Sequence, residues 1–395
     1  MNRQDRQHRH HVIVLGAGYA GLAAALRLAQ NPAVSVTLVD PSDRFTERVR
    51  LHQLAAGQPD VTHPLSSFLR GTGIRHVAAR AVDLDPAARE VCTDDGRTLS
   101  YDRLVYALGS VTDTRIAGER TAGEQTADEE TADEETRVGQ AAVEQAAVEQ
   151  TVRTVGERAY TAESAAELGK RLLDGPGRLA VVGGGLTGVE LASEIAESHP
   201  AWDVRLLTAG KLGAGLSANG RAHLRKTLAA MHVRVTEGER VTSVDAVDAD
   251  VTVWSASLRP LTGLAGAAGL ELDAEGRIVV DRTLRSATDP AVYVAGDAAA
   301  TSLRMACATA MPTGAHAAAS VLADLESGPA RPLRFRYVVQ CISLGRNDGL
   351  IQPVHHDDSP LRSVVTGRPA AFVKEQVVRS TVRILRVAAS RARAR

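Results

Sequence analysis

Two glycine strings with the same spacing are the residues of this sequence best suited to hold a ligand. The first is Gly16, Gly18 and Gly21, and Asp40 follows 24 positions after Gly16. The first glycine of such a turn permits a tight bend, the second lets backbone approach a pyrophosphate, and the third lets a helix pack on a strand. An acid at the position of Asp40 can bind ribose hydroxyls. The first string and its acid therefore predict a dinucleotide site rather than a plain turn.

The second string, Gly183, Gly185 and Gly188, predicts a second dinucleotide site. Thr208 stands at the position that matches Asp40, and Lys211 follows shortly after it. Without a carboxylate to hold the ribose 2′-hydroxyl, NADPH is as plausible a ligand as NADH.

The segments around both strings have the pattern of a strand, a helix and a second strand. Apolar runs at residues 12–15 and 36–39 predict buried parallel strands, and residues 19–30 predict the helix between them. Residues 179–182, 186–197 and 204–207 repeat that order. The predicted fold class is therefore α/β, with two Rossmann-like dinucleotide-binding domains. A hairpin pattern and a final helical pattern predict a small C-terminal α+β region.

Two weaker signals come from the first half of the chain. Arg48 and Gln53 lie in a stretch with little periodicity, where a solvated basic face is an equally good reading of the arginine. A strand pattern that stops at Ala107 and Gly109 would let backbone pass close to a ligand.

Two further signals come from the second half. A short apolar strand closes with Gly296 and Asp297, which places an acid where it can bind ligand hydroxyls. Met311 and Pro312 then introduce a helix whose N-terminus could face negative charge. His316 in that helix is read as a packed or capping residue rather than a catalyst.

The composition excludes several classes of protein. Aromatic residues make up only 3% of the chain, which argues against a surface that stacks sugars or bases, and so against nucleic acid as a partner. Cys92, Cys307 and Cys341 are far apart, so neither a disulfide framework nor a metal site is expected, and a reducing cytoplasm suits them. No run approaches the roughly 20 apolar residues of a spanning helix, so we expect no membrane crossing.

An acidic segment interrupts the chain between the two glycine strings. Residues 119–150 hold ten acidic and two basic residues, a net charge of −8, and from residue 121 they fall into five-residue units. A period of five builds neither a helical nor a strand face. The segment is predicted to be a disordered or loosely helical insertion without chemistry, in preference to an acidic interaction tail.

The C-terminal tail is basic and has helical spacing. Residues 374–395 hold seven basic side chains against the single acid Glu375. Such a helix could lie on anionic lipid, pack on the protein's own sheet, or be an ordinary surface helix. We expect a cytoplasmic protein, with peripheral contact at the inner face of the cell membrane as an open alternative.

Together, both fingerprints, the strand that ends at Ala107 and the run closed by Gly296 and Asp297 resemble the FAD-dependent pyridine nucleotide oxidoreductase superfamily. This is the group of flavoproteins with two dinucleotide-binding domains, and the chain looks most like its type II NADH dehydrogenase and apoptosis-inducing-factor-like branch. The resemblance implies an FAD domain interrupted by an NAD(P)H domain.

The resemblance also implies roles for the candidate residues. In the FAD site, the ADP half would be bound by Gly16, Gly18, Gly21 and Asp40. Val82 would contact adenine through its backbone, and Asp297 would hold the ribityl and pyrophosphate region. Met311 would start the helix aimed at the flavin. In the other site, Gly183, Gly185, Gly188 and Glu190 would bind NADH or NADPH. Without the resemblance, Glu190 is simply favourable charge near a helix N-terminus.

The sequence departs from the family pattern in two places. No cysteine pair lies between residues 40 and 57, which excludes dithiol relay chemistry. The glutamine-rich quinone motif is replaced around residues 311–316, which leaves the electron acceptor open.

The predicted domains are the first part of the FAD domain (1–118), the acidic insertion (119–156), the NAD(P)H domain (157–256), the second part of the FAD domain (257–330) and the C-terminal hairpin and helix (331–395). The expected activity is transfer of hydride from NAD(P)H to FAD and then of electrons to a quinone-like acceptor, with no catalytic side chain assigned. A reductase with a protein or specialised-metabolite acceptor and a flavin-binding regulatory protein are the alternatives. Homodimer formation is left open.

Overall fold

The computed structural model describes residues 9–114 and 158–395, so the predicted acidic insertion lies outside the described residues. Residues 9–114 form ten strands and three helices, with a 3-10 turn at Arg48–Arg50. These are β1 (His10–Leu15), α1 (Tyr19–Leu28), β2 (Val34–Val39), β3 (Arg44–Thr46), α2 (Leu51–Ala55), β4 (Thr62–Pro64), α3 (Ser66–Leu69), β5 (Arg75–Val77), β6 (Ala81–Asp85), β7 (Glu90–Thr93), β8 (Thr98–Ser100), β9 (Arg103–Tyr106) and β10 (Ser110–Thr112).

Residues 158–395 form twelve strands and six helices. These are β11 (Ala159–Tyr160), α4 (Ala165–Leu173), β12 (Arg178–Val182), α5 (Leu186–Ser198), β13 (Asp203–Thr208), α6 (Ala218–Ala230), β14 (Arg234–Glu237), β15 (Val251–Trp254), β16 (Leu258–Pro260), α7 (Gly263–Ala267), β17 (Ile278–Val279), β18 (Val292–Val294), β19 (Ala299–Ala300), α8 (Cys307–Leu325), β20 (Val339–Leu344), β21 (Asp348–Pro353), β22 (Val365–Thr366) and α9 (Arg368–Arg393).

The first sheet has the strand order β18-β9-β1-β2-β5, and all of its pairings are parallel. The central strand β1 buries Val12, Ile13, Val14 and Leu15 completely, because helices or other strands cover both of its faces. The outer strand β18 comes from far downstream. The first sheet is therefore completed only after the chain has built the second.

The second sheet repeats this plan with the order β11-β15-β12-β13-β14, again entirely parallel. Its central strand β12 pairs Val182 with Leu207 of β13, just as β1 pairs Leu15 with Val39 of β2. The predicted α/β fold with two Rossmann-like units is confirmed.

Helices α1 and α8 pack against each other at very short range. A Cβ added to Gly314 of α8 would lie 2.0 Å from the carbonyl oxygen of Ala20 in α1. Only glycine permits this approach, which brings the start of α8 next to the first glycine turn.

The C-terminal region is an antiparallel sheet of β20, β21 and β22 covered by α9. The buried face of α9 includes Ala370, Val378, Val382, Leu385 and Ala389, so the tail helix packs on the protein itself. Val373 and Val377 have helical spacing with these residues, but both are exposed. In the part of the chain that the structure describes, no helix has the length and apolar character needed to cross a membrane.

Candidate dinucleotide-binding sites

The first candidate site is a cleft of about 300 Å³ at the carboxyl ends of the strands in the first sheet. Such clefts are where open parallel sheets bind their ligands. Eight residues predicted from the sequence line it: Gly16, Gly18, Asp40, Arg48, Ala107, Gly109, Gly296 and Asp297.

The glycine turn of this cleft can be explained position by position. Gly16 has φ of +94°, and a Cβ there would lie 2.6 Å from the carbonyl oxygen of Ala107. A Cβ on Gly21 would lie 1.8 Å from the carbonyl oxygen of Gly16. A Cβ on Gly18 would meet no atom within 4 Å, because this backbone faces the open cleft. Gly18 thus leaves room for a phosphate beside the N-terminus of α1.

Asp40 is held at the end of β2 by two backbone donors. Its Oδ2 accepts a hydrogen bond from the amide of Ala17 at 2.6 Å, and its Oδ1 accepts one from Ser42 at 2.9 Å. Burial raises the pKa of Asp40, and these two hydrogen bonds act in the opposite direction. The carboxylate is therefore fixed next to the glycine turn, where a ribose would lie.

Asp297 offers one unused acceptor to this cleft. Its Oδ2 accepts a hydrogen bond from Ser110 Oγ at 2.6 Å, while its Oδ1 is buried and has no hydrogen-bond partner among the described residues. A buried polar atom without a partner is unfavourable unless a ligand satisfies it. Asp297 therefore fits a hydroxyl-bearing ligand such as the ribityl chain of FAD.

Arg48 joins this cleft to the chain segment that leads into the second sheet. Its Nη2 donates to Oε1 of Glu163 at 3.0 Å. Burial acts to raise the pKa of Glu163, but Arg48 and a hydrogen bond from Thr112 hold that pKa below its usual value. The ion pair therefore links the two dinucleotide-binding units next to the first cleft.

The second candidate site is a cleft of about 580 Å³ at the carboxyl ends of the strands in the second sheet, and it is lined by Gly183 and Gly185. Gly183 has φ of +129°, and a Cβ on Gly188 would lie 1.9 Å from the carbonyl oxygen of Gly183. Gly185, like Gly18, faces open space. Trp254 Nε1 and Ser257 Oγ in the wall are buried and have no hydrogen-bond partner within residues 9–114 and 158–395, so this cleft also has polar atoms for a ligand.

The C-terminal region and the segment between β19 and α8 meet at the edge of this second cleft. Arg304 Nε lies 2.5 Å from Oδ2 of Asp358, and Gln340 donates to Oδ1 of Asp358 at 3.0 Å. All three residues line the cleft. Sequence reasoning missed them because no local motif marks residues that tertiary packing brings together.

Six predicted residues line neither cleft: Gly21 and Gly188 lie against the carbonyl groups of Gly16 and Gly183, and the other four lie elsewhere. Gln53 is buried and accepts a hydrogen bond from Arg50 Nε at 2.8 Å. Val82 and Met311 each follow a residue that does line the first cleft, namely Ala81 and Ala310. The prediction that Met311 starts a helix is wrong, because α8 begins at Cys307. Glu190 is buried elsewhere, because its position on α5 faces β20 and α9 rather than the glycine turn.

Glu190 belongs to a buried ionic cluster instead. Its Oε1 lies 2.8 Å from Lys374 Nζ of α9 and accepts the amide of Ser343 at 3.0 Å. Its Oε2 lies 4.0 Å from His52 Nδ1. Burial acts to raise the pKa of Glu190, but Lys374 and His52 hold it below its usual value. Burial also lowers the pKa of His52 to about 4, so that imidazole is neutral at neutral pH.

Comparison with known proteins identifies the family. The profile of the pyridine nucleotide-disulphide oxidoreductases matches residues 10–319, which contain both glycine strings and the whole lining of the first cleft. The chain belongs to this family. It is accordingly an NAD(P)H oxidoreductase, and its cofactors are FAD and NAD(P)H.

Relatives within and around the family agree with this assignment. An NADH dehydrogenase-like protein of Mycobacterium tuberculosis is 29% identical over 387 residues, covering 93% of this chain and 92% of the relative. An alternative NAD(P)H-ubiquinone oxidoreductase of Arabidopsis thaliana is 26% identical over 87% of this chain and 73% of its own. Among solved structures, the sulfide:quinone oxidoreductase of Aquifex aeolicus has a TM-score of 0.73 and 18% identity, covering 96% and 92% of the two chains. That last likeness concerns the fold.

Proposed function

We propose that this oxidoreductase passes the electrons of NAD(P)H to a quinone-like acceptor. The observation that carries the proposal is the pair of clefts with the same construction, linked by the Arg48–Glu163 ion pair. Bound FAD supplies the hydride-accepting and electron-donating chemistry. The residues proposed for FAD are those of the first cleft with Gly21, and the residues proposed for NAD(P)H are Gly183, Gly185 and Gly188.

The chain's own residues act by binding and orientation. Gly18 and the N-terminus of α1 leave room for the pyrophosphate, and Asp40 binds ribose. Asp297 Oδ1 accepts a hydrogen bond from a ligand hydroxyl. Arg48 supplies positive charge at the junction of the two units. No side chain is required to move a proton during hydride transfer, so these roles are positioning and electrostatics.

The cysteines support an acceptor other than a disulfide. All three are free, and they lie far apart in the sequence, at positions 92, 307 and 341. Cys307 lines the first cleft, but burial raises its pKa to about 11, so it stays a protonated thiol at neutral pH. A protonated thiol is a poor nucleophile. The similarity to the Arabidopsis NAD(P)H-ubiquinone oxidoreductase favours a quinone in its place.

An anaerobic experiment tests this proposal directly. The purified holoprotein is mixed with NADH or NADPH, and flavin absorbance is followed. We expect bleaching, and then recovery of the absorbance when menadione or ubiquinone-1 is added. Absence of bleaching with both nucleotides would overturn the proposed activity. Bleaching followed by reoxidation with ferricyanide but with neither quinone would instead favour a protein or specialised-metabolite acceptor.

We also propose that α9 contacts an anionic membrane surface, where quinones are dissolved. Its outer face exposes Phe372, Val373, Val377, Ile384 and Val387, which lie between exposed arginines. An amphipathic basic helix of this kind binds through apolar area and charge together. Vesicles containing phosphatidylglycerol should sediment the protein at low salt, and Phe372→Ser/Ile384→Ser should abolish this. Equal sedimentation of that variant would refute the contact.

A further inference from the structure

In each of the two sheets, a ribose would lie at the carboxyl end of the strand that follows the glycine-turn helix, β2 or β13. These two ribose-binding corners can be compared residue by residue. Gly16 donates its amide to Val39, and Gly183 donates its amide to Leu207, so Val39 and Leu207 are equivalent. The next residues, Asp40 and Thr208, are therefore equivalent by register, although Asp40 lies 24 positions after Gly16 and Thr208 lies 25 positions after Gly183. The carboxylate of the first corner has no counterpart in the second.

Thr208 fills the corner that a carboxylate would occupy. A Cβ added to Gly184 would lie 2.6 Å from both Cβ and Oγ1 of Thr208, so this side chain packs against the glycine turn. A carboxylate here binds a ribose 2′-hydroxyl and repels a 2′-phosphate. Threonine carries no charge, and so it removes that barrier to a phosphate.

Two basic side chains face the same cleft. Lys211 and Arg240 both line it and are exposed, and neither forms an ion pair with any described residue. The nearby acid Glu237 is bound by Arg225 at 2.8 Å and by the amide of Leu212, and Lys211 interacts with it electrostatically without forming an ion pair. A flexible ammonium and a planar guanidinium are the side chains that bind phosphates.

Glu239 is the one competing acid at this corner. It lines the cleft, and its amide donates to the carbonyl oxygen of Thr208 at 3.1 Å. Its carboxylate could accept a ribose hydroxyl from NADH. At this corner, two basic groups without ion-pair partners among the described residues face Glu239, while Asp358, the other acid of the cleft, is paired with Arg304.

We infer that the second cleft selects NADPH over NADH, with Lys211 and Arg240 binding the 2′-phosphate and Thr208 admitting it. This inference rests on the proposed function, since it assigns the electron donor of the same site. Lys211 and Arg240 would then determine the choice of nucleotide in a protein whose relatives include one named as NADH dehydrogenase-like.

A binding experiment tests the inference without turnover. Adenosine 2′,5′-bisphosphate and AMP are titrated into the holoprotein by calorimetry. The native protein should bind the bisphosphate at least about tenfold more tightly, and Lys211→Ala/Arg240→Ala should lose this preference while AMP affinity stays the same. The matched control is Lys226→Ala, an exposed lysine of α6 that does not line the cleft. Equal binding of the two ligands by the native protein, or a preference that survives in the double variant, would overturn the inference.

Flavin reduction then separates this inference from the proposed function. NADPH should reduce the flavin faster than NADH at low concentration, and Thr208→Asp should reverse the order. If NADH is the better reductant of the native protein, the inference fails and the proposed function stands. If neither nucleotide reduces the flavin although the bisphosphate binds preferentially, the proposed function fails and the assignment of the phosphate site stands.

Discussion

Lys374 Nζ lies 2.8 Å from Oε1 of Glu190, and this buried ion pair ties the C-terminal helix to the helix that follows the second glycine turn. Lys374 also donates to the carbonyl oxygen of Cys341 at 3.2 Å. Both charged side chains are at most about a tenth exposed. A charge in such a place depends on its partner, because water cannot replace it.

Lys374→Met should therefore destabilise the protein strongly. Glu190 would keep its charge without a partner, which costs about 3–5 kcal/mol in comparable buried pairs. Urea unfolding of the holoprotein measures the loss. The double variant Lys374→Met/Glu190→Gln should recover most of it. Arg379→Met, which breaks an exposed pair with Glu375, is the control and should cost less than about 1 kcal/mol. A loss for Lys374→Met no larger than that of the control would contradict the prediction.

His52 should make stability depend on pH. Burial lowers its folded-state pKa from 6.5 to about 4, so the unfolded chain takes up this proton at a higher pH than the folded one. The stability from neutral His52 is complete above about pH 6.5 and is lost as the pH falls toward 4, by about 3 kcal/mol in all. His52→Gln should flatten the unfolding free energy in that window. His356→Gln, on an exposed loop, should leave the slope unchanged. If the unfolding free energy of His52→Gln and of the native protein changed equally with pH, the contribution of His52 would be ruled out.

Gly314→Ala should disrupt the contact between α1 and α8. The new methyl group would lie 2.0 Å from the carbonyl oxygen of Ala20, so one helix must shift, with a loss of about 1–3 kcal/mol or more. Because α1 carries the first glycine turn at its start, flavin retention should fall as well. The control Gly328→Ala meets only the Ala323 oxygen at 3.5 Å and should behave like the native protein. Flavin content after gel filtration and urea unfolding check both effects, and full retention with native stability would argue against this packing.

Asp297→Ala should weaken FAD binding. The substitution removes Oδ1, which is the acceptor proposed for FAD, and Oδ2, which accepts from Ser110. Loss of a hydrogen bond to a charged group weakens affinity about 10–100-fold. Ser110→Ala leaves the free acceptor in place and should have a smaller effect. Asp357→Asn, on an exposed loop, should have none. Titration of the apoprotein with FAD gives the dissociation constants, and equal values for Asp297→Ala and Asp357→Asn would exclude the proposed contact.

The sequence by itself determined the features that depend on neighbours along the chain. The strand, turn and helix around Gly16 and Gly183 follow from apolar runs and glycine spacing, which act over a few residues. The matching of Asp40 with Thr208 also follows from the sequence, because each residue comes directly after the apolar run of its strand. The family assignment could be reached from these local patterns and is confirmed. The domain bounds and the individual ligand contacts stay predictions.

Tertiary structure alone decided which residues meet across the chain. Glu190 was assigned to the nicotinamide cofactor, yet the structure pairs it with Lys374, 184 positions away. Val373 and Val377 share helical spacing with Val378 and Val382, but only the latter two are buried, because β20, β21 and α1 cover one side of α9. Spacing along a helix determines which side chains share a face. Only the packed neighbours determine which face is covered, and a buried charge takes its partner from whichever element packs against it.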